Sequence, residues 1–332
     1  MSSSTIYEND LVPPVVAPEG DDHGNTHWAS RAAFPIISAA LMVTQVALGF
    51  AFHYGLYWLC VPLVFLVSHF MHGMLVGFHE ASHGLLRKSR FLNEADGLII
   101  GTFSFMSFTL YRAAHQKHHS HLATERDVEL WPFVIVGTPR WARRLAAFIE
   151  LNAGILFTPF LFARIFLKKD SFIKNKRVRR RIWLEFALMG VVWTIILSTV
   201  TWFRIWEFYL CVFLLPGIIA GNLQSWRKYI EHVGLSGHTA RSATRSIVAN
   251  TWSGKLVSLT LLHEPLHGIH HIKMALPHEE LPHHIPLLDP ADEGDVAPFP
   301  NYRSAVMHLL RNLSDPKSGS HWPNAEKSSI AS

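Results

Sequence analysis

The sequence predicts an all-α integral membrane protein: four transmembrane helices in two hairpins, interfacial helices, and a histidine-rich cytoplasmic cap. Three observations carry that prediction. Hydrophobic residues make up 49% of the 332 residues and charged residues only 17%, below the roughly 25% of an average soluble domain. The apolar residues gather in long runs. From Ala32 to His79 there is no Asp, Glu, Lys or Arg, enough for two crossings at about 20 residues each. Finally, 22 histidines stand against 2 cysteines, and most of the histidines cluster just beyond the apolar runs.

The elements follow in order. Residues 1–33 are polar, hold Pro13, Pro14 and Pro18, and read as a flexible tail with no apolar signal-peptide segment. The first two crossings are expected at about 34–53 and 56–78. Tyr54, Tyr57 and Trp58 mark the interface at their turn. Two shorter uncharged stretches, 97–111 and 151–163, fit interfacial or re-entrant segments better than crossings. The segment 168–181 carries Lys168, Lys169, Lys174, Lys176, Arg177, Arg179, Arg180 and Arg181, so it faces the cytoplasm. The loop 80–144 is also base-rich. With both on one side, 145–167 lies along the interface or dips in and returns.

The remaining crossings are expected at about 183–203 and 206–225, with Trp202, Arg204, Trp206 and Glu207 at their turn. The membrane domain then spans 34–290, and 291–332 is a cytoplasmic tail. Both termini and the cap are cytoplasmic, which in a bacterium means the inner membrane. The net charge of +5 sits in blocks between apolar runs. That is membrane orientation rather than nucleic-acid binding. Cys60 and Cys211 lie inside apolar runs, which excludes a disulfide framework and an iron–sulfur cluster held by cysteines of this chain.

Three clusters concentrate the chemistry: His79-Glu80-Ala-Ser-His83, His115-Gln-Lys-His118-His119 and His267-Gly-Ile-His270-His271, with Glu231-His232 between the last two. On a helix, positions i, i+3 and i+4 share a face, so each cluster presents its imidazoles together. Nine imidazoles exceed the three or four of one zinc site and suit two metals. Imidazole suits Fe, Zn, Cu and Ni. A membrane setting and carboxylate-poor ligation favour iron. A competing reading comes from another class. His79-Glu80-Ala-Ser-His83 and His263-Glu264-Pro-Leu-His267 both match the H-E-x-x-H pattern of a zinc protease. Pro265 disfavours a helix in the second match, and a protease leaves both HxxHH clusters unexplained.

The three clusters, with Glu231-His232, resemble the histidine boxes of the membrane fatty acid desaturase and hydroxylase superfamily over roughly 35–290. Asp127-Val-Glu129 and Pro277-His278 add to the resemblance. It implies a non-haem diiron centre using two Fe2+, with O2 as co-substrate, acting on an unactivated C–H bond of a fatty acyl or similar lipid chain. Desaturation is the leading expectation. Fatty acid or carotenoid hydroxylation or ketolation, and decarboxylation to a terminal alkene, are the alternatives. The implied ligands are His79, His83, His115, His118, His119, His232, His267, His270 and His271. Glu80, Asp127, Glu231 and Glu264 are implied to orient imidazole N–H groups. The chain departs from many relatives at His263, where they carry Asn. His263 is expected to contact the metals as a tenth ligand or through a water. No dinucleotide or haem motif is present, so an external electron carrier with its reductase is implied, such as a ferredoxin, rubredoxin or b-type cytochrome.

Overall fold

A computed structural model describes residues 32–322. The tail expected at 1–33 falls almost entirely outside the described residues, as does the end of the C-terminal tail. Among the described residues the chain is helical, apart from one isolated bridge between Ile247 and Phe299. The membrane-type helices are α1 (Ala33–His53), α2 (Tyr57–Ser82), α5 (Arg140–Leu167), α6 (Lys176–Trp202) and α7 (Trp206–His232). Between them lie α3 (Arg90–Phe103) and α4 (Phe108–Ser120), and after them α8 (Trp252–Thr260), α9 (His267–Ile272) and α10 (Tyr302–Asn312).

Local chemistry sets these boundaries. Ser89, Ser107, Asn175 and Thr251 cap α3, α4, α6 and α8 through side-chain oxygens that accept first-turn N–H groups. Gly55, at φ +70, turns α1 into α2. Within α7, Pro216 lacks the N–H that would bond the Val212 carbonyl. Gln45 Nε2 of α1 donates to that carbonyl instead, at 3.2 Å, and residues Leu210–Leu214 widen into a π turn.

Among the described residues five helices are long and apolar enough to cross a membrane, where the hydropathy reading counted four. The fifth is α5. Its uncharged stretch 151–163 continues a half bearing Arg140, Arg143, Arg144 and Glu150 into one 28-residue helix, kinked at Ala153. Asn222 of α7 holds that kink. It accepts from Gly154 N at 2.8 Å and donates to Asn152 O at 3.1 Å. Gly154 permits the close approach: a Cβ there would lie 2.1 Å from Ser225 Oγ.

Both halves of α5 contact the same end of the bundle. Glu150 accepts from Tyr229 at 2.9 Å and pairs with Lys228 near the end of α7. Phe166 sits 5.3 Å from Trp183 near the start of α6, and Phe162 5.5 Å from Tyr111 of α4. The stretch 97–111 becomes the end of α3, a turn and the start of α4. Trp193, midway along α6, donates to Thr102 O at 2.9 Å and stacks on Phe105 at 4.4 Å.

The segment after α7 folds back over the bundle end. Fully buried Arg245 anchors it, donating to Ile230 O and Val233 O at 2.9 Å and to His308 at 2.8 Å. Burial lowers Arg245 to about 9.

Candidate metal centre

Four helix ends deliver the histidines. His79 lies in the last turn of α2 and His83 caps it. His115, His118 and His119 occupy the last turns of α4, and His232 ends α7. His267, His270 and His271 form the short α9.

Their ring nitrogens converge in two groups. One holds His79, His83, His115, His119 and His270, with nitrogens within 4.8 Å of one another. The other gathers His118, His232 and His271, and His267 joins through His232. In that second group His267 Nε2 lies 2.8 Å from His232 Nε2 and 3.0 Å from His271 Nε2. The groups abut, since the His119 and His271 rings are 4.3 Å apart.

The outward nitrogens are tied down. His118 Nδ1 donates to Asp127 at 2.8 Å, His115 Nδ1 to Glu129 at 3.2 Å, and His232 Nδ1 to the Ala243 carbonyl at 3.2 Å. Glu264 accepts from His79 Nδ1 at 3.1 Å and from His267 Nδ1 at 2.9 Å. These tautomers are assigned from the hydrogen-bond network. With Nδ1–H donated outward, each Nε2 keeps a lone pair that points inward. His232 and His267 therefore face one another lone pair to lone pair at 2.8 Å, a repulsive contact that a cation between them would turn into ligation. His79 Nε2 and His83 Nε2 are buried with no hydrogen-bond partner among the described residues. The donor set fits two metal ions, with five and four imidazoles available.

Electrostatics agree with ligation. Burial pushes His83, His115, His119, His270 and His271 well below the usual imidazole value, and His267 down to about 4. Neutral imidazole is the form that binds metal. Burial also acts to lower His118, but the Asp127 carboxylate outweighs it and holds that ring above the usual value. Burial would raise Glu264, yet His79, Arg227 and His267 hold its carboxyl well below the usual range.

The carboxylates expected to orient imidazoles divide. Asp127 and Glu264 do so. Glu231 pairs with Arg227 at 2.9 Å and approaches His267 on its Nε2 side, at 3.7 Å. Glu80 is buried beside His79 and Glu264, and its oxygens lack a side-chain partner among the described residues. Two roles went unassigned in the sequence: Glu129, already part of the Asp127-Val-Glu129 resemblance, binds His115, and Arg227 binds Glu264 and Glu231. Arg227 could have been sought from its place one helical turn before Glu231.

His263, expected to contact the metals, joins neither group. Leu262 and His263 have φ of 50 and 56, and a 3-10 turn over Glu264–Leu266 follows. No continuous helix therefore links His263 to His267. Its Nδ1 lies 3.2 Å from Ser258 Oγ and its ring 6.5 Å from His278. The same break leaves the second H-E-x-x-H match without the shared helical face that a zinc protease needs.

A family model described as fatty acid desaturase matches residues 56–303. The chain belongs to the fatty acid desaturase family. No curated protein matches the chain. The matched stretch contains both histidine groups and every carboxylate bound to them. Membership in the desaturase family implies an oxidoreductase with a lipid substrate in a membrane setting. In this desaturase-family chain a cavity of about 60 Å³ adjoins the imidazoles, lined by Tyr111, Leu161, Phe162, Ser225 and Arg227 among others.

Proposed function

We propose that the chain is an O2-dependent diiron oxidase that acts on an unactivated C–H bond of a fatty acyl or similar lipid chain, with desaturation as its reaction. The observation that carries this reading is the five-plus-four grouping of buried imidazoles, with Nε2 atoms turned inward, at the end of a membrane bundle. Two iron ions held by His79, His83, His115, His119 and His270, and by His118, His232, His267 and His271, would supply O2 activation with electrons from an external carrier. The chain's own residues do the positioning. Asp127, Glu129, Glu264 and the Ala243 carbonyl hold five rings in their ligating tautomer. The second half of α5 covers the centre on the lipid side, where Phe162 stacks on Tyr111 and Tyr111 on His115 at 5.3 Å. Leu161 and Phe162 of that half also line one wall of the small cavity beside the imidazoles, whose other walls carry Glu129, Glu150, Arg227, Lys228 and Glu231.

Contacts support four crossings, with α5 along the interface. α2 and α7 both end at the metal centre, so their C-termini share one side. The hairpin between α6 and α7 then puts Lys176 on that side too. A single crossing by α5 would leave α3 and α4, of 14 and 13 residues, to restore the balance, and neither is long enough to cross. Both halves of α5 contact that same end. In this reading the basic segment 168–181 and both termini are cytoplasmic, where 168–181 would steer an acidic carrier such as a ferredoxin.

The test is expression with a ferredoxin and its reductase, followed by profiling of cellular lipids and volatiles. New unsaturated acyl chains, absent with His270→Ala and under anaerobic conditions, are expected. Hydroxylated or shortened terminal-alkene products instead would replace desaturation within the same oxidase reading. No product dependent on the histidines, O2 and reductant would refute it.

A further inference from the structure

We propose that Arg227 is a positioning residue that couples the two histidine groups through one shared carboxylate. This rests on the metal-centre reading above. Glu264 is fully buried and touches a ring in each group. Its Oε2 accepts from His79 Nδ1 at 3.1 Å, in the five-imidazole group. Its Oε1 accepts from His267 Nδ1 at 2.9 Å, in the four-imidazole group. Asp127 and Glu129 each bond one imidazole, His118 and His115 respectively.

Arg227 fixes that shared carboxylate. Its Nη1 donates to Glu264 Oε1, and to both oxygens of Glu231 at 2.9 Å. Its Nε donates to Gln224 Oε1 at 3.3 Å, so the guanidinium is held along α7. Glu231 and Glu264 are both buried, and Arg227 stands between them. Without a cation there, two carboxylates would be buried against each other, a costly arrangement, and Glu264 would turn away from its rings. Both imidazoles would then lose the acceptor that sets their tautomer and orientation, one in each group. Removing such an orienting partner typically costs about 10–100-fold in metal affinity. The distinctive consequence is that perturbing position 227 loosens both metals together, whereas perturbing Glu129 loosens one.

The experiment reads iron release rather than turnover. Full-length protein in detergent is loaded anaerobically with ferrous iron, freed of excess, and mixed with a chromogenic ferrous chelator. Wild type should hold two irons per chain and release them slowly. Arg227→Met should release both at least about tenfold faster, Arg227→Lys should recover part of the slow release, and Glu129→Gln should release one iron fast and one slowly. Where Arg227→Met gives no monodisperse protein, Arg227→Lys decides, because it keeps the charge. A smaller acceleration shared by both irons supports the coupling. Release of either iron at the wild-type rate, from Arg227→Met or from Arg227→Lys in its place, overturns it. Failure of the underlying reading looks different: wild type takes up no iron, or His83→Ala and His271→Ala take up as much as wild type.

Discussion

Replacing Asp127 with Asn changes one atom and, on the proposed diiron reading, should unhinge one of the two metals. Asp127 is 1% exposed and accepts four hydrogen bonds. Oδ2 takes His118 Nδ1–H at 2.8 Å and Ala123 N–H at 3.0 Å. Oδ1 takes the N–H groups of Glu129 at 3.1 Å and Leu130 at 3.3 Å. Asn offers one acceptor oxygen and an NH2 donor. Whichever way the amide turns, its NH2 confronts two N–H groups. Two buried donors lose their acceptor, at about 1–3 kcal/mol each, or roughly 2–6 kcal/mol in all. That is a large part of a typical total stability of about 5–15 kcal/mol.

The metal consequence is separate and local. His118 belongs to the four-imidazole group, and loss of its carboxylate should cost that site about 10–100-fold in affinity. Asp127→Asn purified by gel filtration should carry close to one iron per chain instead of two, and its thermal midpoint should drop by several degrees. Two retained irons with a wild-type midpoint would refute the argument that Asp127 both orients His118 and ties its loop.

Three further outcomes are expected. Acidification should destabilise the iron-free protein. Burial holds His267 and His263 at about 4 and His278 at about 3, so each stays neutral when folded but titrates near 6.5 when unfolded. The stability they contribute is full above 6.5 and is lost as pH falls toward 4; a flat thermal midpoint across that window contradicts it. In a background with Cys60 and Cys211 replaced by Ser, membrane-impermeant thiol reagents should label Tyr54→Cys from outside intact cells but neither Lys169→Cys nor Glu293→Cys; the opposite pattern reverses the proposed orientation. His263→Ala should keep two irons while His267→Ala loses iron, and iron loss on His263→Ala would place that ring back at the centre.

Legibility in the sequence followed the range of the interactions involved. The helices α1, α2, α6 and α7 were readable because lipid-length apolar runs are local. The end of α7 extends past the expected 225, because its last turns trade lipid for the buried partners of Arg227, Lys228 and Glu231. α5 was not readable as one helix. Glu150 and Arg164 interrupt its hydropathy, and what accommodates them is remote in sequence: Lys228 and Tyr229 for Glu150, the Trp131 ring at 4.1 Å for Arg164. The bonds from Glu129 to His115 and from Arg227 to Glu264 escaped because they, too, span sequence separations of 14 and 37 residues. The break before His267 was not readable because two consecutive positive φ values at Leu262 and His263 have no signature in residues of those types.

The partition of histidines between the two groups has a local logic beyond mere clustering. In a helix successive residues turn by about 100°, so i and i+4 differ by about 40°, while i+3 falls about 60° to the other side. The structure sorts its rings that way. His79 and His83 are i, i+4 and share the five-imidazole group, as do His115 and His119. His267 and His271 are i, i+4 and meet in the four-imidazole group, 3.0 Å apart. The i+3 residue of each HxxHH run goes to the opposite group: His118 leaves His115, and His270 leaves His267. Each run therefore serves both groups, giving two imidazoles to one and one to the other. Displacing α4 or α9 as a body cannot disturb one group without the other, which makes the spacing of the imidazoles between the two groups a property of helix geometry rather than of loop conformation.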